Sequence, residues 1–358
     1  MKALARYGKE FGGYRIIDVP EPVCGPKDIV IEVKAAAICG ADMKHYKVDN
    51  GSDEFNSIRG HEFAGKIVKV GADVTDWKLG QRIVSDNSAH VCGVCPACET
   101  GDFLCCEHKV NLGLDNNTWG GGFSKYCLIP GEILDIHKHA IWEIPEGIKY
   151  EEAAVLDPIC NAYKAVAQQA HLLPGQDVVV FGTGPLGLFT VQIARIMGAI
   201  NIVMVGLEDD MKVRFDVAKE LGATHCVNGS KEDVVERCKE ICGRDNLGLV
   251  IECSGANIAL KQAIEMTRPN AEIVRVGMGF KPLEFSINDI TSWNKSIIGH
   301  MAYDSISWRN AIRLLQSGAI QVQPMITHRI GLSEWQLGFN AMASKEAIKV
   351  IMTYDYEE

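Results

Sequence analysis

One stretch, VVVFGTGPLGL at positions 178–188, restricts the fold of this chain more than any other. Its apolar opening suits a strand buried on both faces. Gly182, Gly184 and Gly187 follow in the spacing G-x-G-x-x-G, and an apolar helical period then runs over 186–197. Strand, tight glycine turn and helix in that order start a βαβ unit, whose next strand must run parallel to the first. The alternation continues: a strand over 202–205, an amphipathic helix over 211–221 with Met211, Phe215, Ala218 and Leu221 on one face, a strand over 248–253, a helix over 257–267 and a strand over 272–277. This pattern predicts an α/β fold with a doubly wound parallel sheet.

The remainder reads differently. Before about position 150 there are short β-like runs at 29–33, 64–70 and 81–84, broken by Gly, Pro and Asp, which predicts a β-rich module. Beyond about 293 the pattern is irregular, with helices expected over 308–316 and 333–342 and a strand over 348–352 that folds back onto that module. At 358 residues the chain exceeds what one hydrophobic core usually organises, so two domains are expected.

A net charge of -10 argues against partners that are nucleic acid or anionic membrane. The first fourteen residues contain no apolar run that could serve as a signal peptide. The apolar stretch 185–207 is interrupted by Gln192, Arg195, Gly198 and Asn201 and reads as a soluble helix, not a membrane span. A cytoplasmic location follows as an expectation, and there thirteen cysteines stay reduced or bind metal.

CGVCPACETGDFLCC, at 92–106, places Cys92, Cys95, Cys98 and Cys106 close enough for four thiolates to reach one ion, with Cys105 left over. Such a closed set stiffens a loop and leaves no position for substrate. Zinc is the favoured occupant, with an iron–sulfur cluster and inert buried thiols as the competing readings. Reacting chemistry must then lie elsewhere. Cys39 in AAAICGADMKHY and His61 and Glu62 in IRGHEFAGKIVKVG offer thiolate, imidazole and carboxylate, a ligand set for zinc with a position free. Taken singly they also read as a core cysteine, a structural histidine and a solvated acid. Asp157, in VLDPICNAY at the domain boundary, is either a further acid for the same ion or a helix cap.

In the glycine loop, Gly182, Thr183, Gly184, Pro185, Leu186 and Gly187 let backbone approach a pyrophosphate at a helix N-terminus. The strand after it, in NIVMVGLEDD, ends at Gly206 where a ribose-binding acid is expected, with Glu208 two residues on. Glu208, Asp209 and Asp210 would repel a 2'-phosphate, so NAD is preferred to NADP. Arg214, the nearby base, is expected on an exposed helix face.

In this order, Cys39, GHE at 60–62, the four-cysteine lobe and GTGPLG at 182–187, the sequence resembles the zinc-dependent medium-chain dehydrogenases over essentially its whole length. Within them it is similar to the polyol (sorbitol, iditol, galactitol phosphate) and threonine dehydrogenase branch. The resemblance implies a GroES-like catalytic domain from 1–157 and 296–358, with the structural zinc lobe at 90–108, and a Rossmann NAD-binding domain at 158–295. It also implies a catalytic zinc on Cys39, His61, Glu62 and Asp157, a nicotinamide side lined by backbone at Ser254 and Gly277, and homodimers or homotetramers joined at Rossmann edge strands, with 273–276 as the candidate edge.

Two departures bear on the proton route. Ala41 stands where many relatives carry a hydroxyl two residues after the catalytic cysteine, and Lys44 stands where the threonine branch carries a relay histidine, His45 following it. Lys44 or His45 serves a rerouted relay, or both are solvated, and Glu62 is a substitute acid. The acid-rich loop 48–60 favours a small polyhydroxylated substrate, and its Arg59 either meets a substrate anion or braces the loop. The expected activity is hydride transfer between NAD and a secondary alcohol of a polyol, sugar acid or sugar phosphate. The alternatives are oxidation of an amino alcohol such as L-threonine and a non-catalytic nucleotide-binding protein.

Overall fold

The computed structural model describes residues 1–8, 13–46, 52–115, 120–279 and 281–357, with the side chain of His45 outside the description. The chain divides into two compact units, Met1–Asp157 with Met325–Glu358, and Pro158–Pro324.

In the second unit six described strands form one parallel sheet, in the order His225–Asn228, Ile202–Gly206, Val178–Phe181, Leu249–Glu252, Glu272–Arg275, Ser296–Gly299. The order reverses between Val178–Phe181 and Leu249–Glu252, the place where open α/β sheets bind ligands beyond the strand ends. Val178–Phe181 is buried along its length, as its unbroken apolar run requires. The helix Pro185–Ile196 starts on proline, which has no amide hydrogen to leave unbonded in a first turn.

Five expectations change here. Ser296–Gly299 extends the parallel sheet, so 296–324 belongs with this unit and not with the first. Gln192 secures the end of that segment, donating to the Gln321 carbonyl at 3.0 Å and accepting from its amide at 2.8 Å. For the same reason 273–276 is interior, and the edge strand on that side is Ser296–Gly299, whose residues are largely exposed. The helix predicted over 211–221 is Arg214–Leu221, because Glu208–Asp210 forms a separate 3-10 turn in which Asp210 accepts from the Leu207 amide at 2.8 Å. Phe215, Ala218 and Leu221 stay buried, but Met211 is 45% exposed. Arg214 is buried beside Asp210 and not on an exposed face.

The first unit holds a mixed sheet around Ile29–Ala37, which pairs antiparallel with Glu62–Val70, Tyr126–Ile129 and, from the far end of the chain, Lys349–Thr353. Its core gathers Leu4, Ile31, Phe63, Ile83, Phe123 and Phe339. A two-stranded ribbon, Ser88–His90 with Val110–Asn111, brackets the cysteine lobe. Among the described residues no helix is long and apolar enough to cross a membrane.

Candidate active site

Strand register builds the first constellation. Ala37 pairs with Glu62 on one side and with Ile351 on the other. Cys39, two residues past the central strand, thereby meets Glu62 and His61 at the start of one neighbour and Lys349 at the start of the other. One donor atom each from Cys39, His61 and Glu62 lies within 4.8 Å of the others. His61 and Glu62 are buried and Cys39 is half-buried. Burial pushes the Cys39 thiol well above its ordinary range, Glu62 adds to this, Lys349 opposes it, and Asp42 and Asp157 contribute less.

Lys349 had no signal in the sequence, since 287 residues separate it from Glu62. Its ammonium, 3% exposed, donates to Glu62 Oε2 at 2.5 Å and to the Ile38 carbonyl at 3.3 Å. Burial opposes its charge, but Glu62 and Cys39 outweigh that and hold its pKa above the ordinary value. Losing one member of a buried pair like this costs about 3–5 kcal/mol. The other carboxylate oxygen, Glu62 Oε1, is buried and has no hydrogen-bond partner, and neither has His61 Nδ1. A lone buried carboxylate oxygen beside a thiol and an imidazole suits a divalent cation.

Asp42 supports the group from behind. It accepts from the Cys39 amide at 3.1 Å, stands 4.0 Å from His61 Nδ1 and takes the Arg59 guanidinium at 3.1 Å. Arg59 also donates to the Leu114 carbonyl at 2.7 Å and is buried, so it braces this loop. Asp157, in the first turn of Leu156–Tyr163, lies outside the 4.8 Å set and accepts from Asn87 Nδ2 at 3.2 Å. Lys44 is exposed on the short helix Gly40–Tyr46, and the His45 side chain lies outside the described residues.

The four cysteines of the lobe form the second constellation. The Sγ atoms of Cys95 and Cys98 are 3.5 Å apart, those of Cys92 and Cys106 3.6 Å, and those of Cys92 and Cys98 4.0 Å. Thiolates at about 2.3 Å around one tetrahedral ion stand about 3.8 Å from each other. Backbone amides of Val94 and Cys95 help to pull the Cys92 thiol down to about 6. Cys105 faces outward, exposed.

In the second unit, Gly187 of the glycine loop and Gly206 on the neighbouring strand have no room for a side chain. A Cβ on Gly187 would lie 1.8 Å from the Gly182 carbonyl oxygen, and one on Gly206 would lie 2.6 Å from Thr183 Cγ2. This explains the missing acid at the end of Ile202–Gly206, where a side chain does not fit. Gly184 faces open space, ahead of the helix that Pro185 and Leu186 begin. Glu208 is engaged, accepting from Lys231 at 2.7 Å and Asn228 at 2.5 Å, and these partners hold its carboxyl below the ordinary range. Lys231 is thus a second base near this acid, one that counting along the strand missed.

Gly182 approaches the Ser254 amide, and Gly277 packs on Gly255, so Ser254 and Gly277 join the loop at the same end of the sheet. Buried Glu252 holds that loop, accepting from the Ser254 and Gly255 amides at 2.7 and 2.9 Å. Nothing in the sequence marked Glu252, because a loop-capping acid carries no spacing signal.

Residues 25–138 match the alcohol dehydrogenase GroES-like domain and residues 185–317 the zinc-binding dehydrogenase domain. The chain is 80% identical to the uncharacterized zinc-type alcohol dehydrogenase-like protein YdjL of Escherichia coli, over all of both chains. It is 32% identical to sorbitol dehydrogenase of Halalkalibacterium halodurans, over 99% of each. The structure of 2R,3R-butanediol dehydrogenase from Bacillus subtilis superposes with a TM-score of 0.85 at 28% identity, covering 99% of both chains.

Proposed function

Because the chain belongs to the zinc-type alcohol dehydrogenase family, we propose that it moves hydride between NAD and a secondary alcohol of a polyol, sugar acid or sugar phosphate. The observation that carries this reading is the convergence of Cys39, His61 and Glu62 donors within 4.8 Å. These three would hold a catalytic zinc, and Cys92, Cys95, Cys98 and Cys106 a structural one. Zinc at the first site supplies a Lewis acid that makes a substrate hydroxyl acidic near neutral pH.

The chain's own residues do the rest. Lys349 offsets the charge of Glu62, so thiolate and carboxylate together do not cancel a divalent cation. Asp42 holds the Cys39 amide and the Arg59 guanidinium and so braces the loop behind the ligand group. With alanine at position 41, the hydroxyl proton needs another acceptor through water, and Asp157 is the acid at hand, because Lys349 and the metal would take both Glu62 oxygens. Amides at the start of Pro185–Ile196 bind the pyrophosphate, with Gly182, Thr183, Gly184 and Gly187 allowing close approach. Glu208 would face the adenosine ribose, where its carboxylate would accept from the ribose hydroxyls and so favour NAD over NADP. Backbone at Ser254 and Gly277 lines the nicotinamide side.

The similarity to sorbitol dehydrogenase and the second carboxylate beside the metal group support a polyhydroxylated substrate. The test is a panel of sugar alcohols, aldonates, their phosphates and L-threonine, each with NAD and NADP, followed by the absorbance of reduced nicotinamide. A polyol-class substrate with NAD is expected to lead by at least about tenfold in kcat/KM, roughly 1.4 kcal/mol of transition-state preference. Preference for L-threonine, or no turnover of any member by the zinc-loaded chain, sinks the reading.

The thirteen thiols suit a reducing compartment, and we place the protein in the cytoplasm. The exposed strand Ser296–Gly299 is a ready edge for pairing with a second copy. A charge at Ile297 (Ile297→Asp) is expected to shift sedimentation from dimer or tetramer to monomer, and an unchanged profile refutes this interface.

A further inference from the structure

Within the first unit, Asn87 occupies a left-handed conformation, φ 62, and is 3% exposed. Asparagine is among the few residues that tolerate this region. The backbone around it is over-determined. Its amide donates to Ser85 Oγ at 3.0 Å, and its carbonyl accepts from the Leu112 amide at 2.6 Å, on the strand side that leaves the cysteine lobe. Its neighbour Asp86 accepts from the Ser88 amide at 2.9 Å and meets His137 Nε2 at 2.6 Å. The His137 ring stacks at 4.0 Å on Phe103, a residue of the lobe. Backbone strain held this firmly commonly accompanies a functional constraint.

The side chain so aimed ends on Asp157, donating from Nδ2 to Oδ2 at 3.2 Å. Asp157 is near enough to Cys39 for its charge to act there, yet it is absent from the donor set of Cys39, His61 and Glu62. A carboxylate within electrostatic reach of a divalent cation is drawn toward it, and a fourth protein ligand closes a tetrahedral zinc site to substrate. The lobe of the same chain, with four sulfurs, is such a closed set.

We propose that Asn87 is a positioning residue that tethers the Asp157 carboxylate outside the ligand set of Cys39, His61 and Glu62, keeping one coordination position open for substrate. The proposal rests on the metal reading of that cluster, and its test separates the two. The chain is loaded with Co2+ in place of zinc, and the visible absorption of the open-site ion is titrated with imidazole. Release of the ion to a chelator is timed in parallel.

Asn87→Gly keeps the left-handed backbone, because glycine adopts it freely, and removes only the amide. It is expected to weaken imidazole binding about tenfold and to slow metal release by a similar factor, in the range of effects that residues behind metal ligands produce. Loosening of the loop alone would speed release instead. Asn87→Asp, which also tolerates this φ, replaces the donor by a like charge and is expected to act in the same direction. In Asn87→Gly combined with Asp157→Asn, the weaker ligand is expected to restore imidazole binding.

Wild-type imidazole affinity in both single variants, faster release, or no restoration in the double variant overturns the proposal. If Cys39→Ser retains the same cobalt absorption and content as the wild type, the metal reading of the cluster itself has failed, and the Asn87 proposal falls with it.

Discussion

Cys39→Ser is expected to leave a folded chain that holds one zinc where the wild type holds two and oxidises alcohol at least about 1,000-fold more slowly. A serine hydroxyl is too weak an acid to replace a thiolate toward a borderline metal, and the three-donor set drops to two. A 1,000-fold loss corresponds to about 4 kcal/mol in the barrier, which is what polarisation by a bound cation supplies. Folding should survive, because the Lys349–Glu62 pair and the Asp42–Arg59 pair remain satisfied without the sulfur. Elemental analysis, initial rates of NAD reduction and a thermal melt check the three parts separately. Full activity in this variant would falsify the assignment of the reacting site.

Cys95→Ser reports on the other constellation and should do the reverse. Opening the ligand set frees the loop that Cys92 to Cys106 closes, and a cross-link over about fifteen residues is worth about 3 kcal/mol in the chain-entropy account. For a unit of this size that converts to a fall of roughly 6–12 °C in Tm. Activity at temperatures where the protein stays folded should fall much less than in Cys39→Ser, because no sulfur of the lobe can meet substrate. Unchanged melting together with unchanged zinc content means that the cysteines hold no ion.

The two variants differ because the groups were built differently, and the same difference governs how visible each was beforehand. The lobe lies within fifteen consecutive residues, so short-range chain geometry already limits its thiols to a small volume. The glycine loop is similar: a strand, a turn and a helix that follow each other leave few places for Gly182 and Gly187. Cys39, His61 and Glu62 were suggestive by chemistry, yet each also had an ordinary reading until the register Ala37 to Glu62 placed them together.

Where reading along the chain failed, the deciding contact was remote. The unit boundary moved from 295/296 to 324/325 because Ser296–Gly299 finds its partner in Glu272–Arg275, and the same pairing moved the sheet edge. Arg214 was expected in solvent because its helix was begun three residues too early. The 3-10 turn that Asp210 closes shifts the helix and buries that guanidinium.

Sequence alone determined the groups that lie close along the chain: a glycine turn between strand and helix, and a four-sulfur lobe. Each depends on residues close along the chain, whose separation is limited by backbone reach whatever the rest does. Only tertiary structure decided that Lys349 neutralises Glu62, that Asn87 holds Asp157 and that Glu252 caps the Ser254 loop. Those pairings depend on strand register and loop packing, which are set by burial of whole faces and leave no periodic trace at the residues they bring together.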